Sequence, residues 1–558
     1  MVQHTQHTMA SESDRGSTEQ GNRTPMTDIC KMMQQATEHH KAGRFDQAER
    51  LYQHALKNEP TNPTALHGMA LIAYRSAQYE RAADLTEKAI ASNGQVARFH
   101  STYGIVLNAL GRFEEAVAAY QRTLELLPDF PDARYNMGNS LGRLGRYDAA
   151  VEQYRGALLL KPGDAFAHFN MGIALQKLKR HEEAIEEFLT VVKLGHDPAE
   201  AYRVMAASRN ALAQYNQTIL LYKKALELKP DCPDIHSNLG MALLQTGNYL
   251  QGWTQYSWRL RKVSWMQSYR DVPLWDGSDF RGKRLLVRSE QGFGDNIQFV
   301  RYLPMVKARG GTVILATYKQ LSELMRTASG IDQVVSENES VFFDLYCPLL
   351  ELPRIFGTTL ETIPAEVPYL YADPTKAAQW RAMLPNDSLR VGIVWGASSL
   401  DKQAQTRSCR LIDFLQLARI PYVRLYSLQK GQPAEQMAEL SENCHIVNLG
   451  QHFNDFTDTA AAIENMDLII SVDTSVLHLA GALGKPVWGL TLFSPDWRWM
   501  SYGQNNPWYP NIRLFRQNKV DCWDAVFKRV AEELQYLVRQ KLSGTVTKQL
   551  YRTADPKS

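Results

Sequence analysis

Seven positions spaced 34 residues apart carry an aromatic or aromatic-like side chain: Phe45, Tyr79, Phe113, Tyr147, His181, Tyr215 and Tyr249. A second grid of the same period holds Tyr52, Thr86, Tyr120, Tyr154, Phe188, Tyr222 and Tyr256, and a third holds only small residues, Ala36, Ala70, Gly104, Gly138, Gly172, Ala206 and Gly240. A single globular core gives no reason for such recurrence. A stack of equivalent helical hairpins does, because each unit buries the same face against the next. About half of the chain is therefore expected to be a solenoid, and chemistry has to be sought where the grid ends.

Within a repeat the spacing is helical. Phe113, Ala116, Tyr120 and Leu124 share one stripe, and Pro128 comes where a helix must stop, since proline cannot donate to the preceding turn. Turns such as Gly43-Arg44-Phe45, Gly111-Arg112-Phe113 and Gly145-Arg146-Tyr147 separate the two helices of a hairpin. Gly94 and His196 replace the terminal proline in the second and fifth units, which reads as drift or as a kink in the groove. This pattern resembles the tetratricopeptide repeat family over residues 28–262. The resemblance implies a curved surface that grips a protein or peptide partner. Asn108, Asn136, Asn170 and Asn210 are candidates for holding peptide backbone, because an amide both donates and accepts, or for solvation and capping within the array.

The chain has 558 residues, too many for one core. Its net charge of +3 is too small for an electrostatic nucleic-acid binder. Six scattered cysteines show no metal or redox spacing, and no apolar run reaches the roughly 20 residues that span a bilayer. Residues 1–27 read as a disordered polar leader and 542–558 as a flexible tail. No secretory signal or membrane segment is expected, so the expected location is the cytoplasm. Trp253, Trp258 and Trp265 stand where a free repeat array would carry a polar cap, so the last repeat is expected to dock directly on the next domain.

From residue 283 the rhythm becomes strand–turn–helix. Strands are expected at 284–288, 312–316, 331–335, 343–347 and 368–371, then again at 390–395, 422–427, 446–449, 468–472 and 486–490. Helices are expected at 297–308, 318–328, 411–418, 433–442, 455–465 and 474–484. Apolar strands alternating with helices predict two parallel α/β halves, 270–385 and 386–541, facing a cleft. Ligands of such sheets bind beyond the carboxyl ends of strands. Three turns lie there. Gly292-Phe293-Gly294-Asp295 allows close backbone approach, with Asp295 as an N-cap or a base. The loop with Ser398, Lys402, Arg407 and Ser408 offers hydroxyls and cations suited to a diphosphate. Asp473-Thr474-Ser475 opens a helix, with His478 one turn on as a ligand contact or a core histidine.

Gly294-Asp295, Arg407-Ser408, the segment 427–431 that includes Lys430, and 471–487 resemble heptosyltransferase-type glycosyltransferases (glycosyltransferase family 9). The segments Pro495-Asp496-Trp497-Arg498-Trp499 and Trp508-Tyr509-Pro510 are similar to repeat-fused members of that group. The resemblance implies a GT-B fold of two Rossmann-like domains behind an all-α tetratricopeptide solenoid. It also implies a nucleotide-sugar donor used as substrate with no cofactor and no metal, Asp295 as the base on the acceptor, and inversion at the anomeric carbon. Asp473, Thr474 and His478 would hold the diphosphate. Ser475 stands where that family commonly has glycine, and the basic set is matched only loosely by Lys402, Arg407 and Lys430. A non-catalytic repeat scaffold with a decayed transferase unit is the alternative.

Overall fold

The computed structural model of the protein describes residues 25–397, 406–440 and 446–543. Fourteen consecutive helices, from Pro25–Lys41 to Tyr249–Tyr256, form the tetratricopeptide solenoid among the described residues. Each expected turn position has a left-handed backbone: Gly43, Ala77, Gly111, Gly145, Lys179, Ala213 and Gly247 all have φ between +56° and +85°. That conformation ends the first helix of each hairpin. The small-residue grid explains the aromatic grid sterically. A Cβ added at Gly104, Gly138 or Gly172 would lie 2.6 Å from the ring of Tyr120, Tyr154 or Phe188 respectively. In these three repeats the glycine is the notch that its aromatic fills.

The chain falls into two compact units, residues 1–208 and 209–558. The second unit holds the last part of the repeat array together with the whole α/β region. Its first sheet contains β1 (Arg284–Arg288), β2 (Thr312–Thr317), β3 (Gln333–Ser336) and β4 (Leu345–Pro348), all parallel in the order β3-β2-β1-β4. Segment 257–272 covers one face of this sheet: Trp265, Met266, Tyr269 and Val272 pack on Leu286, Ile314 and Tyr346.

The second sheet is also parallel. It contains β5 (Leu389–Val394), β6 (Val423–Ser427), β7 (Ile446–Asn448), β8 (Leu468–Val472), β9 (Val487–Thr491) and β10 (Ile512–Arg516), ordered β10-β9-β8-β5-β6-β7. The near-continuous apolar runs of β5 and β8 match their burial, as expected for strands covered on both faces.

Several expected elements differ. Residues 368–371 form no strand. Pro368 has no N–H, and the Tyr369 and Leu370 N–H groups donate to the Ala482 carbonyl at 3.0 and 3.4 Å, so this segment crosses between the sheets. The expected helix 318–328 contracts to Ser322–Met325, and the one expected at 433–442 is a 3-10 helix over Gln432–Glu439. The 411–418 segment starts as 3-10 helix (Leu411–Phe414) before one α-turn (Leu415–Ala418). β10 and the helix Asp524–Leu542 have no counterpart among the expected elements. The helix buries Val526, Phe527, Val530 and Leu534 in the core of the second sheet. Among the described residues, no helix is long and apolar enough to cross a membrane.

Candidate functional site

Two short helices, each starting just after the carboxyl end of a strand, meet where the two sheets face each other. Phe293–Phe299 comes after β1 and Ser475–Ala482 after β8. A Cβ on Gly294 would lie 2.7 Å from His478 Cδ2, so only glycine admits this approach. The sequence therefore brings Asp295, from the first lobe, to the helix that carries His478 in the second.

Asp295 is in the first turn of its helix. Its Oδ2 accepts from the Gly292 N–H at 2.9 Å, and its Oδ1 accepts from Arg498 Nη2. Arg498 is buried. Its Nη1 donates to Asp496 at 2.8 Å, its Nε donates to Gln298 at 3.0 Å, and its guanidinium lies 4.3 Å above the Trp497 ring. Burial pushes the Asp295 carboxyl above its ordinary value, against the opposing pull of Arg498 and the Gly292 N–H. Burial works against the Arg498 charge, yet Asp295 and Asp496 hold its proton more tightly than usual.

His478 is 4% exposed. Burial, with Arg498 adding to it, holds its imidazole well below the ordinary histidine range, so it is neutral at pH 7. Its Nδ1 is 3.0 Å from the Tyr509 hydroxyl and its Nε2 is 3.9 Å from Asp473 Oδ1. Arg407 Nη1 donates to Asp473 Oδ2 at 2.9 Å, and this carboxylate favours the Arg407 charge. The line of contacts continues into the first lobe. Tyr369 donates to the Ile297 carbonyl at 3.0 Å, its hydroxyl lies 3.3 Å from that of Tyr509, and Arg301 Nη2 donates to Tyr369 at 2.8 Å.

Thr474 is the N-cap of the His478 helix, but its side chain does not cap it. Its hydroxyl pairs instead with Ser471 Oγ at 3.1 Å. The helix start at Ser475 thus has no side-chain cap, the arrangement that attracts an anion.

Gly292, Gly294, Asp295, Arg407, Asp473, Thr474, Ser475 and His478 thus gather at one place. Ser408 is a brace, its Oγ accepting from the Ala397 N–H at 3.1 Å. Lys430 turns its Nζ to the Phe453 carbonyl rather than to this cleft. Ser398 and Lys402 lie outside the described residues. Sequence reasoning assigns no role to Arg498, Asp496 or Tyr509. Their signal is the Asp-Trp-Arg-Trp and Trp-Tyr-Pro runs, unusually rich in large and charged groups for a loop.

Tetratricopeptide repeat models match residues 39–104, 104–145, 135–201 and 210–247. The model for glycosyltransferase family 9 (heptosyltransferase) matches residues 390–524, the lobe that contains Asp473, His478 and Arg498. The chain carries tetratricopeptide repeats followed by a glycosyltransferase family 9 domain.

The family 9 match begins after the first lobe, so Asp295 lies outside it. Protein FlbA of Caulobacter vibrioides (strain ATCC 19089 / CIP 103742 / CB 15) is 27% identical over 374 residues, 61% of this chain and 62% of that protein. The chain thus aligns with less than two thirds of this relative's length. The solenoid is similar to the crystal structure of MamA, at 23% identity over 30% of this chain and 91% of that one, with a TM-score of 0.28. It is also similar to YrrB, described as a TPR protein with an unusual peptide-binding site, at 24% identity over 30% of this chain and 88% of that one, with a TM-score of 0.28. A Pseudomonas aeruginosa PilF structure matches at 17% identity over 42% of this chain and 97% of that one, with a TM-score of 0.33. At these scores the likenesses carry no functional argument.

Proposed function

We propose that this glycosyltransferase moves a sugar from a nucleotide-sugar donor to a hydroxyl of a protein or peptide acceptor recruited by the repeats. The observation that carries the reading is the close approach of the Asp295 turn, at Gly294, to His478 across the two lobes. In the reaction the acceptor oxygen bonds to the anomeric carbon while the bond to the diphosphate oxygen breaks. Asp295 takes the acceptor proton, and the nucleoside diphosphate leaves with the electron pair. The carboxylate has about four lone-pair sites, so its contacts with Arg498 and Gly292 leave room for that proton. Negative charge grows on the leaving group. Arg407 and the uncapped N–H groups after Thr474 supply fixed positive charge for it. These groups supply the stabilisation a divalent cation would otherwise give, so transfer is expected to persist in a chelator.

One observation favours a second reading, the non-catalytic scaffold. Both oxygens of Asp295 already have donors, and Arg407 is already paired with Asp473. Thermal melts with a panel of nucleoside diphosphates and nucleotide-sugars separate the two. A ligand at 100 times its dissociation constant adds about 2.7 kcal/mol. A shift with one nucleotide, followed by mass-detected sugar transfer to protein, supports the transferase. A melting temperature indifferent to every nucleotide leaves the scaffold.

A further inference from the structure

The last repeat departs from the others at the point where the notch should be filled. A Cβ on Gly240 would meet backbone, Tyr256 N at 2.5 Å and Tyr256 Cα at 2.8 Å, rather than a ring. The two helices here are closer than in the repeats of Tyr120, Tyr154 and Phe188, and the Tyr256 side chain leaves the hairpin. In earlier repeats the grid hydroxyls stay within the array: Asn108 donates to Tyr120 at 3.1 Å, and Tyr154 donates to Asn139 at 2.8 Å. The Tyr256 hydroxyl instead meets both ends of the Gln291 amide, Oε1 at 3.1 Å and Nε2 at 2.8 Å.

Gln291 is no neutral position. It has φ +60°, a conformation that costs a non-glycine residue, and it directly precedes Gly292, whose N–H holds Asp295. The residue before it is anchored from the same side. Arg259, just past the last repeat helix, donates to Glu290 at 2.7 and 3.3 Å and to Glu351 at 2.7 Å, both carboxylates being buried. A second path reaches Asp295 from behind. Trp253 packs edge-on against Trp497 at 5.3 Å, and Trp497 underlies Arg498. Tyr249 accepts from Trp508 Nε1 at 3.1 Å and donates to Met500 Sδ at 3.7 Å; Met500 is itself held at φ +58°.

We propose that the last repeat is a built-in part of the acceptor-side machinery, with Tyr256 as a positioning residue that holds Gln291 in its left-handed conformation and so sets Asp295. Its activity arm rests on the transferase reading; its structural arm does not. Tyr256 touches no reacting atom and acts through Gln291. A glycine at 291 adopts the required φ without strain, so it should relieve the need for the Tyr256 hydroxyl.

The test compares the wild-type full chain, Tyr256→Phe, and the double variant Tyr256→Phe/Gln291→Gly. Three readouts are taken: melting temperature, hydrogen exchange of the 290–296 segment, and kcat and KM for the donor that the panel identifies. Tyr256→Phe keeps the ring and its packing. Exchange at 290–296 should quicken about five- to ten-fold, the loss of one hydrogen bond. The rest of the chain should exchange unchanged, with kcat reduced and donor KM held. The double variant should recover kcat in large part. Unchanged exchange at 290–296, a change spread evenly over the chain in step with a lower melting temperature, or failure of the glycine to recover kcat each overturns the proposal. If exchange responds as stated but wild type transfers no sugar from any donor, the positioning role stands and the transferase reading falls.

Discussion

Arg498, from the loop after β9, closes on Asp295, from the turn after β1, so the two lobes share a part-buried ion pair. The pair is reinforced by Asp496 and Gln298, which occupy the remaining faces of the guanidinium. Near this contact lie the neutral His478, the Asp473–Arg407 pair and the left-handed Gln291 turn.

Replacing Arg498 by methionine keeps an unbranched apolar stem, shorter than arginine's, and removes the charge. Asp295 and Asp496 would then be left without their cation in a largely buried site. Breaking one side of such a pair costs about 3–5 kcal/mol. Denaturant unfolding of Arg498→Met should show that loss, with the midpoint moved and the slope unchanged.

Asp295→Asn retains an acceptor for the Gly292 N–H but has no basicity. Turnover should fall about 10²–10⁴-fold with nucleotide binding unchanged. Because burial raises the folded-state pKa of Asp295, the acid limb of wild-type kcat/KM should lie above the ordinary carboxylate value of 3.8, activity being lost as pH falls through it. The variant should lack that limb.

His67 provides a pH test of the repeat array. Its ring lies 4.8 Å from that of Phe99 and its Nε2 is 2.8 Å from Thr102 Oγ1. Burial, then the neighbouring His40 and Arg98, lower its pKa from 6.5 to about 4. The folded state thus binds the proton later than the unfolded chain. The neutral ring is no penalty above pH 6.5, and stability falls as pH drops from 6.5 toward 4. From pH 7 to pH 5 the loss from this group is about 2 kcal/mol. Unfolding of His67→Asn should lose about that much less over the same interval.

Ala77 and Ala213 occupy the turn position that is glycine in four other repeats, at φ +57° and +56°. The left-handed region costs a residue with a Cβ about 1–2 kcal/mol, partly offset by the larger unfolded-state entropy of glycine. Ala77→Gly and Ala213→Gly should each stabilise by about 0.5–1 kcal/mol, seen as a rise in melting temperature.

Much of the solenoid is legible in the sequence because its constraint is periodic. Phe113, Tyr120 and Gly104 recur as a set, and any recurring set must fill a recurring space. The strands of the second sheet are legible for a related reason: Leu468–Val472 is apolar on both faces, which only a covered parallel strand accommodates. Residues 368–371 resemble a strand without being one, because an apolar run carries no sign of where its N–H groups will go, and these go to Ala482. The amphipathic helix Asp524–Leu542 lies beyond the last recognisable motif, and its spacing alone does not say which sheet it covers.

By itself the chain pointed to candidate residues, Asp295, Asp473 and His478 among them, since turns after strands are local and arise from glycine, cap and apolar spacing. Only the tertiary structure decided what those residues face. Arg498 is 203 residues from Asp295, and Tyr256 is 35 residues from Gln291. No local pattern encodes either meeting, because each depends on how the two sheets and the last hairpin close on one another, and burial then sets which charges stay and which protons are held.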